Sequence, residues 1–322
     1  MTFLHDDPGF EDLLQIVAAK RSLSLGLVEK DYWVTHTLWA LHQLGLEVWF
    51  KGGTSLSKGF GLIERFSEDL DLKVEPGRKS KLPRIENWKS EGKAATAMRR
   101  EYFDSLQLAL AVPGACVIVD PTFEDPTHRS AQFRVEYPGR HIGALHAAMK
   151  PFVLLEIGSA RVTPFVLRDM TSFVHEEVAA QGLAAEFLDD RPKAVRCVHP
   201  IVTLLEKLDA LHRRVPRLDV EPATFVRHFE DAARIALREE ALPTMEGFRD
   251  VRSLADEMLE QRQLAQIPDS EDLAFRPDHG ARFIEIRRAH EATAPMFWGP
   301  RLGLEMACSE LRTWIERRLP PR

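Results

Sequence analysis

The chain has 322 residues, 44% of them hydrophobic, and a formal net charge of −6 from 43 basic and 49 acidic residues. That length suggests about two domains, and the apolar content is ample for a sizeable core. The acidic balance excludes nucleic-acid binding by bulk charge alone, though not through a local basic groove.

In chain order, residues 10–46 read as helices, with Trp33, Leu38, Leu41 and Leu44 recurring at helical spacing in DYWVTHTLWALHQL. EVWFK, 47–51, is a short strand ended by Gly52-Gly53. TSLSKGFGLIERF is a short helix or turn, and Glu68 to Val74 a second strand. Strand, glycine turn, helix, strand is an α/β opening. Residues 76–93, broken by proline and glycine and carrying six Lys or Arg, read as a mobile basic insertion. AATAMRREYFDSLQLAL is a helix, and ACVIVD, QFRVEY, PFVLLEI and RVTPFVL are strands between turn residues. After residue 195 or so the pattern becomes helical and stays so, which predicts a first domain over 1–194 and a helical domain over 195–322.

Cys116, Cys197 and Cys308 are scattered and form no CxxC pair, as expected of reduced thiols in a cytoplasmic protein. The start MTFLHDDPGF has neither the basic region nor the apolar run of a signal peptide. No stretch approaches the ~18 apolar residues that span a bilayer.

Asp69 and Asp71 are the first candidates for chemistry. In a strand, residues i and i+2 share a face, so both carboxylates project side by side while Leu70 and Leu72 enter a core. Adjacent carboxylates repel, and a divalent cation between them resolves the conflict, with hard oxygen ligands favouring Mg²⁺. Spacing alone also fits a solvent-facing strand with two harmless charges. Glu156 adds a third acid inside the apolar run PFVLLEIG, where an unpaired carboxylate is expensive. It faces either an arginine such as Arg134 or Arg161, or the same pocket as Asp69 and Asp71. Three carboxylates on neighbouring strands can hold two metal ions at the ~3.5–4 Å separation used in phosphoryl chemistry.

The glycine turn suits a phosphate. Gly52 and Gly53 permit close backbone approach, a following helix start offers free N–H groups, and Thr54, Ser55, Ser57 and Lys58 add donors and charge. The segment is neither a Walker A loop nor a GxGxxG dinucleotide site.

GGTSLSKGFGLIERFSEDLDL resembles the first motif of the DNA polymerase β-like nucleotidyltransferases: a GG or GS turn, a short helix, then a D-x-D strand. It is most similar to the AbiEii/AbiGii toxin family, which includes the MenT toxins, and EKDYWVT at 29–35 is similar to that family's N-terminal helix. The resemblance implies a nucleotidyltransferase core with a mixed sheet, an α/β (α+β) fold, followed by a helical domain. LLEKLDALHRR resembles the helix with the family's functional lysine, here Lys207, and RHFEDAARI the motif with its functional aspartate, here Asp231. Read as residues alone, Asp209 with Arg213 and Arg227 with Asp231 are i,i+4 pairs that two exposed helices could carry.

By resemblance, Asp69, Asp71 and Glu156 are the metal and catalytic residues. Gly52, Gly53, Thr54, Ser55, Lys58, Ser67 and Lys207 then bind the NTP, with Asp231 orienting Lys207 or the substrate. The implied activity is transfer of a nucleotide from an NTP to an acceptor with release of pyrophosphate, in the presence of Mg²⁺. For MenT-like members the acceptor is the 3′ end of tRNA, whose modification stops translation. Arg78, Lys79, Lys81, Arg84, Lys89, Lys93, Arg213 and Arg214 are available to track phosphates. The resemblance further implies an AbiEi-type antitoxin acting without a stable complex. Two other functions stay open: nucleotide transfer to a small molecule or protein side chain, and an inactive RNA-binding or scaffold protein of the same fold.

Overall fold

A computed structural model describes residues 1–67, 69–77, 80–145, 149–278 and 280–320. The N-terminal helices are α1 (Phe10–Arg21) and α2 (Leu25–Gln43). Ser24 caps α2 by accepting a hydrogen bond from the Leu27 amide at 3.3 Å. Burial extends around most of α2 and takes in Glu29, Lys30 and Asp31. Strand β1 (Glu47–Lys51) leads into the helical turn α3 (Gly52–Thr54), which continues as a π-turn over Ser55–Gly59. Strand β2 runs Asp69–Glu75 with strict alternation of half-buried and buried residues. Its expected first residue, Glu68, lies outside the described residues.

Residues 80–92 contain no helix or strand, as their proline and glycine content predicts. They are nevertheless anchored, which corrects the expectation of a mobile insertion. Ile85 and Trp88 are buried. The Trp88 ring meets Tyr102 edge-on at 5.6 Å, and buried Arg99 donates to the Ser90 carbonyl at 2.9 Å. Two apolar side chains with somewhere to go outweigh the loop composition. Arg78 and Lys79 lie outside the described residues.

Helix α4 (Lys93–Ala109) and strands β3 (Cys116–Val119), β4 (Ser130–Glu136), β5 (Val153–Gly158) and β6 (Phe165–Arg168) follow. Next come α5 (Phe173–Ala180) and β7 (Val195–Val198). The segment just after residue 195 is therefore a strand rather than the start of the helices. The remaining helices are α6 (Pro200–Arg214), α7 (Arg227–Leu237), α8 (Val251–Glu260), α9 (Ala281–Ala292) and α10 (Leu304–Arg318). Pro200 at the first helical position and the His199 ring, accepting from the Ile201 amide, start α6.

Seven strands form one mixed sheet in the order β3-β4-β5-β2-β1-β7-β6. β2 runs parallel to β5 and antiparallel to β1, while β4 is antiparallel to β5. The fold class is thus the mixed α/β architecture expected. Contacts divide the chain into two compact units. One comprises Met1–Gly59, Ser67–Val162 and Leu167–Cys197; the other comprises Phe60–Phe66, Thr163–Val166 and Val198–Arg322. No helix among the described residues is long and apolar enough to cross a membrane.

Candidate active site

In the sheet-bearing unit, register decides which side chains meet. Asp71 is paired with Glu156 on β5 and with Lys51 on β1, and Glu156 is paired with Gln132 on β4. Cα partners in a sheet share a face, so Gln132, Glu156, Asp71 and Lys51 form one row across four strands, with Asp69 two residues from Asp71 on the same face. Of the three carboxylates singled out in the sequence, the register sets Asp71 beside Glu156, with Asp69 one pair along the same face. Gln132 Nε2 donates to Glu156 Oε1 at 2.6 Å, while Arg134 pairs instead with Asp120 at 2.7 Å. Burial, followed by the Asp71 and Asp69 charges, pushes the Glu156 carboxyl up to about 7, against the pull of Lys150. The neighbouring Asp71 carboxylate thus favours the protonated form of Glu156.

Gly52 closes this row. Its φ of +75° lies in the left-handed region, and a Cβ there would fall 1.7 Å from Asp71 Oδ2. Glycine is required twice over, by conformation and by the carboxylate lying against its Cα. Thr54 is buried, and its hydroxyl is spent within the protein, donating to the carbonyls of Asp69 at 2.8 Å and Ser67 at 3.1 Å. It pins the glycine turn to the start of β2. Ser57 Oγ donates back to the Thr54 carbonyl at 3.1 Å. Ser55 Oγ is buried without a hydrogen-bond partner among the described residues.

Lys58, expected to meet phosphate, is held elsewhere. Its ammonium pairs with Asp31 Oδ1 at 2.6 Å and donates to the Thr171 carbonyl at 3.0 Å. This pair accounts for the buried charge of Asp31 in the 29–31 segment. Glu29 accepts from the amides of Arg140 and His141, each at 3.0 Å. Lys30 Nζ donates to the Lys150 carbonyl at 2.6 Å. The Lys150 ammonium in turn reaches Asp69 Oδ1 at 3.2 Å. Each charge of EKD thus tethers a different distant segment of the chain. Lys150 was missed from sequence because it lies in an irregular segment, and only the β5 register shows where it reaches.

The donor set suits a hard divalent cation: carboxylate oxygens on one face, with a repulsion between Asp71 and Glu156 that a bound cation would relieve. No group of three or more His, Cys, Asp or Glu among the described residues is arranged to hold an ion. Asp69 stands opposite Leu154, one step along the strand from the Asp71–Glu156 pair, and Lys150 engages its carboxylate.

In the helical unit, Lys207 on α6 and Asp231 on α7 meet, with Nζ 2.9 Å from Oδ2. Arg65, which the sequence reading passed over, clamps the same carboxylate with Nε at 2.7 Å and Nη2 at 2.6 Å. Asp231 is fully buried, so it carries no exposed i,i+4 pair with Arg227. Burial alone would raise its carboxyl, and the charges of Arg65 and Lys207 override that and hold it well below the usual carboxylate range. Burial and the Lys207 charge push the His228 imidazole well down, and its Nδ1 lies 3.3 Å from Lys207 Nζ. Arg213 does pair with Asp209 at 2.7 Å, but that aspartate is buried and also accepts from the Ala265 amide at 2.7 Å.

The family model for the nucleotidyl transferase AbiEii toxin of type IV toxin–antitoxin systems matches residues 37–299. No curated protein matches the sequence. Among solved structures, JHP933 from Helicobacter pylori is similar at 15% identity over 89% of this chain and 92% of that one, with a TM-score of 0.35. A likeness at that TM-score bears on neither the site nor its chemistry.

Proposed function

The chain belongs to the AbiEii nucleotidyl transferase toxin family of type IV toxin–antitoxin systems, and from that membership we propose that it transfers a nucleotide from an NTP to an RNA 3′ end. tRNA is the acceptor that the MenT-like motifs favour. The observation that carries this reading is the row formed by Gly52, Asp71 and Glu156, in which the Asp71 carboxylate lies against bare glycine backbone and beside a second carboxylate.

Asp71 and Glu156 are the residues that would hold Mg²⁺, with Asp69 joining them once Lys150 releases its carboxylate. When bound, such ions neutralise phosphate charge and acidify an acceptor hydroxyl. The chain's own residues do the rest. Gly52 and Gly53 let the triphosphate approach, and the turn is held in shape by Thr54 and by the Lys58–Asp31 pair. Ser55 and Ser67 border that turn. The acceptor hydroxyl attacks the α-phosphorus, the bond to the β-phosphate oxygen breaks and pyrophosphate leaves. Glu156, whose carboxyl sits near 7, is suited to take the hydroxyl proton. Lys207 is assigned to phosphate charge, and its 2.9 Å bond to Asp231 supports the orienting role of that aspartate. The partner implied is an antitoxin of the AbiEi type.

Each of the four labelled NTPs, incubated with Mg²⁺ and with total RNA, protein and metabolites in turn, tests the proposal. Label enters RNA with the native protein and not with Asp71→Ala. Label entering protein or metabolites alone, or incorporation unaffected by Asp71→Ala, would refute it.

A further inference from the structure

In-line displacement puts the entering hydroxyl and the leaving pyrophosphate on opposite sides of the α-phosphorus. The sheet order gives those sides a location. The glycine turn ends β1, on one flank of Asp71, while Glu156 and then β4 lie on the other flank. With a triphosphate at the turn, the acceptor enters from the β4 side.

A groove is present there. A cleft of about 260 Å³ is lined by Asp71 and Glu156 and bounded by Phe123, Ser130, Ala131 and Gln132. A second cleft, of about 340 Å³, shares those last four residues and continues outward. Phe123 stands at the junction, half-buried on a turn held by side chains. Asp120 Oδ1 accepts from the Thr122 amide at 2.8 Å and from Arg134 at 2.7 Å. The opposite lip is fixed in the same way, Asp125 accepting from the amides of Thr127 at 2.9 Å and Ser130 at 3.0 Å. Phe123 thus lines both clefts from a segment whose two ends are fixed by side-chain hydrogen bonds.

The charge of the groove selects what enters. Asp104, Glu124 and Asp125 line the outer cleft, and among the described residues no lysine or arginine does, while Lys51 lines the inner cleft beside Asp71. A phosphodiester is repelled there, whereas a planar base meets the Phe123 ring and, in Glu124, a carboxylate that can accept from an exocyclic amine. We propose that this groove takes the terminal base of the acceptor RNA, stacked on Phe123, with its free 3′ hydroxyl directed to Glu156. The inference rests on the RNA reading above and adds which part of the RNA is bound, and by what.

The full chain with an unblocked short RNA and its preferred NTP provides the test. Losing one base stack raises KM for the RNA about tenfold or more in Phe123→Ala and leaves KM for the NTP within about twofold. Phe123→Trp, which keeps an aromatic face, restores the RNA KM and shows that the alanine effect is not misfolding. Anisotropy of labelled RNA gives the same ranking without turnover, and a 3′-phosphorylated RNA binds no better than the native end. A rise in the NTP KM alone assigns the groove to the NTP's base and overturns the proposal. Unchanged constants for both overturn it as well, while leaving RNA as the substrate. A native protein that labels no RNA refutes the RNA reading itself, before any variant is compared.

Discussion

Replacing Gly52 by alanine tests the contact on which the carboxylate row depends. Two terms add. The residue holds φ +75°, which costs an L-residue about 1–2 kcal/mol. The new Cβ would also lie 1.7 Å from Asp71 Oδ2 and 2.7 Å from its Cγ. The carboxylate must therefore rotate away, and leaving its rotamer costs about 0.5–1.5 kcal/mol. Gly52→Ala is expected to lose about 1.5–3.5 kcal/mol in the native background. In an Asp71→Ala background the second term vanishes and the loss falls to about 1–2 kcal/mol. Urea titrations of the four proteins give the coupling directly. Nucleotide transfer by Gly52→Ala should also drop about a hundredfold, because a carboxylate displaced by an ångström no longer meets the substrate. An equal stability loss in both backgrounds would refute the claim that the Asp71 carboxylate lies against this backbone.

Glu156 gives a pH signature: with a carboxyl raised from 4.5 to about 7, the folded protein binds more protons than the unfolded chain between those values. Stability of the metal-free protein should therefore fall as pH rises through that window, and Glu156→Gln should flatten the profile in denaturant melts. Mg²⁺ must displace the same proton, so its affinity by calorimetry should weaken about tenfold per pH unit below 7 and level off above it. Asp31→Ala leaves the Lys58 ammonium buried without its carboxylate and should cost about 3–5 kcal/mol, most of it recovered in Asp31→Ala/Lys58→Met. Lys207→Met leaves the Arg65 clamp on Asp231 intact. It should cost less than about 1 kcal/mol while abolishing transfer, whereas Asp231→Ala, stranding two cations, should cost about 3–5 kcal/mol in the same urea assay.

What the sequence disclosed follows from which features are local. Alternation in DLDLKV and the apolar run VLLEI announce their faces within a few residues, so Asp69, Asp71 and Glu156 could be placed on strands before their register was known. Their meeting needed the pairing of Asp71 with Glu156, which no local pattern encodes. Side-chain availability was equally hidden. Thr54 and Lys58 have the right chemistry beside a glycine turn, yet their donors are engaged by Asp69, Ser67, Asp31 and Thr171. Helical spacing suggested Arg227 as the companion of Asp231, and a distant segment supplied Arg65 instead. EKD could be read as part of a helix but not as three tethers, because Arg140, Lys150 and Lys58 lie far away in the chain.

The parallel pairing of β2 with β5 also determines where this protein can vary. Neighbouring residues of a strand point to opposite faces, so deleting a single residue from either strand would turn Glu156 away from Asp71. Residues 80–92 lie outside every ladder and are held by Ile85, Trp88 and the bonds of Arg99. Insertions or deletions that spare those anchors leave the strand pairing, and with it the meeting of Asp71 and Glu156, untouched.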